Sequence, residues 1–304
     1  MTYLFTEIKF DQELKLVQEF NQWLIKNGIK TNGSRLYEVI DLLKVIVDHY
    51  KADKVTQLLA NHDEATLWVV LTDATAFVRV YLAFKNTKSH VLPRGKFKEM
   101  LVGPLLPWDE SSTKNNIHGR NILFELEMAA VFKRAGLKIT DYDDVSFNFK
   151  KKQFNVQCKR IHSPKSVTAN ISNAVDQITK RMKDSNTKGL ICLSIDKISD
   201  KEGCVLETEK HESVGPSLEK ICGDFISNQR KNWQNLVNIN VLGTLIVINA
   251  IALLKNYGPG PLLTSCRQTT LDIIPKNIFL QQSDYRLIKT LSSKIMTPKA
   301  IGSI

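Results

Sequence analysis

The sequence has few cysteines, and their spacing does not fit a disulfide framework or a cysteine-rich zinc site. There are five cysteines in 304 residues, an odd number, and no two are arranged as CxxC. Small secreted scaffolds and structural zinc sites depend on such pairs, so the spacing argues against both classes. Low cysteine usage of this kind indicates a reducing compartment, and we therefore expect a cytoplasmic protein.

Long apolar segments are also absent. The longest apolar run, residues 241–254, is too short to cross a bilayer and contains Gly243 and Asn249. A buried strand is the better interpretation of that run. At the start of the sequence, acidic residues come before any apolar run that could serve as a signal peptide. We therefore expect no membrane partner.

The charge is unbalanced towards basic residues. Lys and Arg number 42 against 31 Asp and Glu, which gives a formal net charge of +11. Such a balance favours polyanions or anionic surfaces as partners. The hydrophobic share of 43% excludes a disordered or fibrous chain, and the length allows two domains.

The first third of the chain has the pattern of helices. Residues 11–27 and 34–47 carry apolar side chains at helical spacing, and residues 64–84 are apolar almost all round. We predict a helical N-terminal domain over residues 1–105 with the last segment as its buried centre. It contains no chemical motif, so its function could be to bind a protein partner.

Two charged residues of this region, Asp73 and Arg79, stand within the apolar segment. Buried charges are rarely left unpaired, so they are expected to form a satisfied polar pair or to lie at exposed positions.

The composition changes after the helical region. Residues 102–116 contain prolines, a glycine and small polar residues with little periodicity, which indicates a domain boundary. We predict a linker at residues 106–118, a second domain at residues 119–285 and a loosely held tail at residues 286–304.

The second domain begins with a predicted helix at residues 122–135. Glu125 falls on its apolar stripe, whereas Glu127 falls on a charged stripe with Arg120 and Arg134 that is expected to face solvent. An unpaired buried carboxylate is costly. Glu125 is therefore expected either to pair with a buried group or to point into a cation-binding site.

The next segment, residues 143–160, alternates apolar and polar side chains with the period of a β-hairpin. A loop at residues 150–153, or the two central lysines alone, would place Phe149 opposite Phe154 and Asp144 opposite Lys159. One face of the hairpin would then be polar.

A helix and a buried strand follow the hairpin. Residues 170–182 have helical apolar spacing, and residues 189–195 are continuously apolar, as in a strand parallel to the one before the helix. Residues 243–251 and 264–274 are further strand candidates. The predicted fold class is α/β, with a mixed central β-sheet flanked by helices and preceded by an all-α N-terminal domain.

The polar face of the hairpin carries residues suited to metal chemistry. Gln157 and Lys159 lie two apart on one strand and must point the same way, and the predicted register brings Asp144 to them. Carboxylate and amide oxygens are the ligands that magnesium prefers, and a lysine beside them could orient or deprotonate a water. The alternative is a surface hairpin with an ion pair between Asp144 and Lys159.

Three short motifs in residues 119–196 carry a family resemblance. The sequence FEL at residues 124–126, Asp144 after another acidic residue, and QCK at residues 157–159 resemble the PD-(D/E)xK nuclease superfamily, which has the restriction-endonuclease-like fold. Gln157 stands where that family more often has Asp or Glu, and Asp143 where it often has proline.

The resemblance implies a phosphodiesterase that depends on Mg²⁺ or Mn²⁺. Asp144, Gln157 and the backbone carbonyl of Cys158 would be metal ligands, Lys159 would act on the nucleophile, and Glu125 would assist through water or a second metal. The substrate class is nucleic acid, with DNA favoured over RNA, in genome defence or the processing of mobile elements. A homodimer is expected if both strands of a duplex are cut.

Several basic and polar residues are candidates for contact with the nucleic-acid backbone. They are Lys150, Lys151, Lys152, Arg160, His162, Lys165 and Gln177. A lysine-rich turn can equally be a solvated surface feature. Two other functions remain open, namely a nucleic-acid-binding module of the same fold without catalysis and a helical interaction protein.

Overall fold

A computed structural model describes residues 4–5, 10–52, 54–111, 116–142, 145–182, 184, 186–199, 205–234, 241–257, 260–273 and 282–296. The helices in those residues are α1 (Phe10–Lys26), α2 (Arg35–Lys51), α3 (Val55–Asn61), α4 (Glu64–Phe84), α5 (Arg94–Glu99), α6 (His118–Arg134), α7 (Val167–Arg181), α8 (Asp196–Ser199), α9 (Val214–Gln234) and α10 (Gln282–Met296). The strands are β1 (Leu4–Phe5), β2 (Lys138–Asp141), β3 (Ser146–Phe149), β4 (Lys152–Arg160), β5 (Thr187–Ser194), β6 (Val205–Thr208), β7 (Val241–Tyr257) and β8 (Gly260–Ile273).

The described strands form one mixed sheet. Their order is β1-β8-β7-β5-β4-β3-β2, with β6 paired to β7 off this path. The pairs β4 to β5, β5 to β7 and β6 to β7 are parallel, and the remaining pairs are antiparallel. The helix α7 connects the parallel strands β4 and β5, as the periodicity predicted. The α/β class, with helices flanking a mixed sheet, is confirmed.

The N-terminal helices pack against this sheet and share its core. One continuous hydrophobic cluster extends from Val17 on α1 through Phe77 on α4 to Ile295 on α10. The helix α4 is long and apolar enough to span a membrane by composition, but 78% of its most apolar window is buried inside the fold. It is therefore the central core helix that its all-round apolar pattern predicted.

The chain end differs from expectation. Residues 286–296, predicted to belong to a loosely held tail, lie in the helix α10. Leu287, Ile288, Leu291 and Ile295 are buried on one side of it. Their spacing of three and four residues gives an apolar stripe, which explains why the segment packs on the core.

The hairpin forms, but its register was predicted wrongly by two positions. Phe147 pairs with Phe154, and Phe149 pairs with Lys152. The loop consists of Lys150 and Lys151, both with positive φ (46° and 63°), as in a tight type I′ hairpin turn. A shift of two preserves which residues share a face, so the apolar side remains in the core. Asp143 and Asp144 lie outside the described residues.

The prediction for Glu127 on α6 was also wrong. Glu127 is 4% exposed, and its Oε1 accepts hydrogen bonds from Arg79 on α4 at 3.1 Å and from Arg267 on β8 at 2.8 Å. The helix lies between α4 and the sheet, so the stripe expected to face solvent is covered on both sides. Asp73 is likewise buried and pairs with arginines 35 and 120. Asp73 and Arg79 are therefore both paired, Asp73 with the two arginines and Arg79 with Glu127, rather than with each other.

Candidate functional site

The centre of the predicted metal site lies on the side of β4 that faces α7. Gln157 is 3% exposed, and Lys159 follows two residues later on the same face. The Lys159 Nζ donates a hydrogen bond to Gln177 Oε1 on α7 at 2.7 Å. Gln177, proposed from helix orientation, thus contacts this site directly.

The Lys159 ammonium is half-buried, and burial lowers its pKa, while the negative charge of Glu125 acts in the opposite direction. A lowered pKa makes a lysine a better proton acceptor than one in solution. The hydrogen bond to Gln177 also fixes the position of the amine.

Glu125 lies across the sheet from Gln157. It belongs to α6, which packs on the face of the sheet that Cys158 shares. Its carboxylate forms a salt bridge with Lys96 of α5, whose side chain is 11% exposed. Of the two expectations for Glu125, pairing with a buried group is the contact present. Lys96 was not a sequence candidate, because its helix is only six residues long.

Cys158, the predicted backbone ligand, pairs with Cys192 of β5 in the parallel ladder. Both cysteines are free thiols, and the hydrogen bond between them, together with burial, holds the pKa of Cys158 well above its usual range. Such a thiol stays protonated and unreactive, which is consistent with a role through the backbone alone.

The described residues fit a divalent cation in part. Gln157 has an amide oxygen of the kind that binds such a cation and shares one face of β4 with Lys159, and Asp144 lies outside the described residues. Within the described ranges, no group of three His, Cys, Asp or Glu side chains could hold a metal. The donors predicted for the ion are therefore an amide, a backbone carbonyl and Asp144, in keeping with a cation that retains several waters.

The lysines of the hairpin turn are not beside Lys159. Lys152 begins β4 and Lys159 lies near its end, about 23 Å away along the strand at the usual rise per residue, and Lys150 and Lys151 precede Lys152 in the turn. Lys152 Nζ donates to Asn186 Oδ1 at 2.9 Å, and Lys150 Nζ lies 5.7 Å from the centre of the Phe149 ring. A nucleic acid would have to extend along the hairpin to contact both regions.

The basic residues after β4 have different environments. Arg160 points away from Lys159 and bonds to Glu110 at 3.3 and 3.4 Å. Burial, together with the charges of Arg160 and Lys197, lowers the pKa of His162 to about 4, so the ring is neutral near pH 7. Lys165 is exposed in a single turn, Pro164–Ser166.

A cavity of about 70 Å³ lies on the opposite side of β4 from Lys159, between α4, α6 and the ends of β4 and β5. Its lining includes Trp68, Trp108, Arg120, Arg160, Asp196 and Lys197. No sequence motif predicts this cavity. The one available signal was Asp196, which lies two residues after the end of the buried parallel strand β5, where α/β proteins place ligand sites.

Asp196 is held by three donors. The backbone N–H and the amide of Asn249 donate to it at 2.7 and 3.1 Å, and Ser194 Oγ donates at 3.0 Å. Burial nevertheless raises the pKa of Asp196. Asn249 interrupts the apolar run of β7, and its hydrogen bonds to the buried Asp196 carboxylate explain why a polar residue is present there.

A comparison with models of known protein families finds no match for this chain, and a comparison with curated proteins finds no significant match either.

Proposed function

We propose that the protein is a metal-dependent nuclease that hydrolyses phosphodiester bonds, with DNA as the favoured substrate. The observation that carries the proposal is the arrangement on β4, where Gln157 and Lys159 share one face and Gln177 fixes the lysine amine at 2.7 Å. The order of α6, the β3–β4 hairpin, α7 and β5 supports it, because the restriction-endonuclease-like core has helix, hairpin, helix and strand in that order.

Asp144, Gln157 and the carbonyl of Cys158 are the residues proposed to hold Mg²⁺ or Mn²⁺. The bound ion would supply an acidified water and neutralise charge on the phosphodiester. Lys159 would hold that water and accept or steer its proton, since its pKa is lowered by burial. Glu125 acts through its charge on Lys159 in this proposal, because its carboxylate is bonded to Lys96.

A second candidate is a nucleic-acid-binding module without catalysis. Two observations favour it, namely the neutral amide of Gln157 in place of a carboxylate and the salt bridge that occupies Glu125. The net charge of +11 would still provide salt-dependent affinity for a polyanion. In either case the N-terminal helices could bind a protein partner, and a homodimer is expected for cutting of both strands.

The test compares cleavage of plasmid, linear duplex, single-stranded DNA and RNA by the folded protein with Mg²⁺ or Mn²⁺. Lys159→Ala should reduce the rate roughly 10²- to 10⁴-fold, the usual contribution of proton transfer by a positioned side chain. Asp144→Ala should abolish metal-dependent cleavage, because it removes the carboxylate proposed to hold the ion. The matched control is Lys44→Ala, because Lys44 is a 48% exposed lysine on α2, and it should cut at the wild-type rate.

Absence of cleavage of every substrate by the wild type would reject the nuclease proposal. Salt-dependent retention of DNA without cleavage would then support the binding module, and no retention would support an interaction protein.

A further inference from the structure

Three cations meet on one buried carboxylate at the carboxyl ends of β4 and β5. Glu110, whose side chain is 1% exposed, lies 3.1 Å from Arg120, 3.3 Å from Arg160 and 3.6 Å from Lys197. These three cations, called the cationic corner below, come from α6, β4 and α8. The carboxylate comes from the irregular segment between α5 and α6.

The other carboxylates around the cavity are already engaged. Asp73 bonds to Arg35 and Arg120, Glu127 bonds to two further arginines, and Asp196 accepts from Asn249 and Ser194. In the described part of the chain, Glu110 is the carboxylate bonded to Arg160 and Lys197. One negative charge therefore serves Arg160 and Lys197, although Lys197 Nζ also donates to the Pro107 carbonyl at 2.8 Å, and a doubly charged anion would match the two cations better.

The cavity beside the cationic corner has room and further contacts for a ligand. By the measure in which one water needs roughly 10–15 Å³, its volume of about 70 Å³ holds about five waters, the space of a phosphate group with bridging waters. Trp68 lines it, is 6% exposed, and its indole N–H has no acceptor in the described residues. Trp108 lines it too and is 42% exposed, which leaves an aromatic face for a base.

The charges of Arg160 and Lys197 also act on a neighbouring side chain. Burial, together with these two charges, lowers the pKa of His162 to about 4, while Glu110 acts in the opposite direction. The corner also lies at the carboxyl ends of parallel strands, where open α/β sheets bind ligands.

We propose that this cavity binds the phosphate of a nucleotide on Arg160 and Lys197, with Trp68 and Trp108 beside its sugar and base, and that Glu110 competes with the phosphate for these two cations. The site is separate from the proposed metal centre, because Arg160 and Lys159 are neighbours on a strand and point to opposite faces. The shared chemistry is a phosphomonoester, whether a free nucleotide or the terminal phosphate of a strand.

The test is calorimetric titration of the full chain, without divalent metal, with inorganic phosphate, AMP and adenosine. Phosphate and AMP should bind, and adenosine should bind at least tenfold more weakly than AMP. Glu110→Gln should tighten binding of phosphate and AMP about tenfold, since it removes the competing charge. Arg160→Gln and Lys197→Gln should each weaken binding about tenfold or more.

The control is Glu207→Gln, since Glu207 pairs with Lys255 at the exposed surface, and it should bind as the wild type does. A 5′-phosphorylated oligonucleotide is compared with its 5′-hydroxyl form. Preference for the phosphorylated strand identifies a strand end as the ligand, and no preference identifies the free nucleotide.

The melting temperature of Glu110→Gln, measured with and without phosphate, provides a second test in case this variant is less stable than the wild type. If Glu110→Gln is folded, saturating phosphate should raise its melting temperature more than that of the wild type. If Glu110→Gln is unfolded, the affinities of Arg160→Gln and Lys197→Gln for phosphate and AMP test the proposal instead. Lack of phosphate binding by the wild type, equal binding of AMP and adenosine, unchanged affinity in a folded Glu110→Gln, or unchanged affinity in both cation variants would each overturn the proposal.

Discussion

At the scale of single residues, the environment of buried charged side chains is the feature that the sequence could not predict. Glu13 on α1 is 3% exposed and accepts a hydrogen bond from Thr75 Oγ1 at 2.6 Å. Burial raises the pKa of Glu13 from 4.5 to about 7, against the opposing effects of Thr75 and Arg79. The carboxyl group is thus easier to protonate in the folded chain than in the unfolded one.

This shift predicts a pH dependence of stability. Because the pKa of Glu13 is raised in the folded state, protonation of this residue stabilises the fold. This stabilisation is fully present below about pH 4.5 and is lost as the pH rises through about 7. Glu13→Gln keeps the shape and the acceptor, so it should be more stable than the wild type at pH 8, by about 3 kcal/mol at most. Chemical denaturation at pH 5 and pH 8 measures this, with the exposed Glu38→Gln as control. Equal pH dependence of Glu13→Gln and wild type would contradict the account.

A second residue-scale prediction concerns Gln177. Its amide oxygen holds the Lys159 amine, so Gln177→Leu should lower the cleavage rate while leaving the fold intact, since Gln177 is exposed on α7. We expect a loss of roughly tenfold, because a displaced amine is less well positioned rather than absent. The comparison is with Lys180→Leu, an exposed position on the same helix. A loss of the same size in both variants would mean that α7 itself, and not the contact with Lys159, matters.

At the scale of elements, the hairpin turn shows what pattern alone could give. The alternation placed the right residues on each face, because a period of two does not depend on the loop. It could not fix the register, since a turn of lysines lacks the Asn-Gly or Gly signals of a two-residue loop. Both turn lysines take a positive φ, at 46° and 63°, which costs a residue with a side chain roughly 1 kcal/mol or more.

Replacing Lys151 with Gly should therefore stabilise the protein by about 0.5–1 kcal/mol, because glycine adopts a positive φ without that cost. Thermal or chemical denaturation provides the measurement. Lys180→Gly, on the exposed side of α7, should instead destabilise by about 1 kcal/mol. If both substitutions destabilise equally, the turn geometry is not as described.

The helix α6 shows a second limit of the sequence. Helical spacing separates two stripes, but it does not say how many sides of a helix are covered. Both stripes of α6 pack against other elements. The buried Glu127 is therefore paired with arginines from α4 and β8, which are 48 and 140 residues away in the sequence. Such distant partners have no local sequence signal, so helical spacing alone predicts that Glu125 is the more buried of the two glutamates.

Glu127 gives an element-scale prediction. Glu127→Ala leaves Arg79 and Arg267 buried without their shared acceptor, which should cost about 3–5 kcal/mol. Glu99→Ala is the control, since Glu99 is a 49% exposed partner of His118. Denaturant unfolding at pH 7 compares the two, and a loss below 1 kcal/mol for Glu127→Ala would contradict the role assigned to this carboxylate.

At the scale of the whole molecule, the class of fold and the order of elements from α6 to β5 were predictable, because they depend on local periodicity. The packing of the N-terminal helices on the sheet was not, since it depends on contacts such as Thr75 Oγ1 to Ser265 Oγ at 2.7 Å. The cavity at the carboxyl ends of β4 and β5 was missed for the same reason. Its residues come from six segments that only the tertiary fold brings together.

This shared core predicts that the two regions do not fold separately. A fragment of residues 106–304 would expose the side of α6 and the sheet that α4 covers, so it should be insoluble or lack cooperative unfolding. Coexpression with residues 1–105 should restore a soluble complex. A cooperatively folded 106–304 fragment would instead support two independent domains.

The most direct test of the central claim is the dependence of DNA cleavage on magnesium in the wild type and in Gln157→Glu. A carboxylate binds magnesium more strongly than an amide, so the account predicts cleavage by both proteins, with half-maximal activity at a lower magnesium concentration in Gln157→Glu. Failure of both folded proteins to cleave DNA at any magnesium or manganese concentration would contradict it.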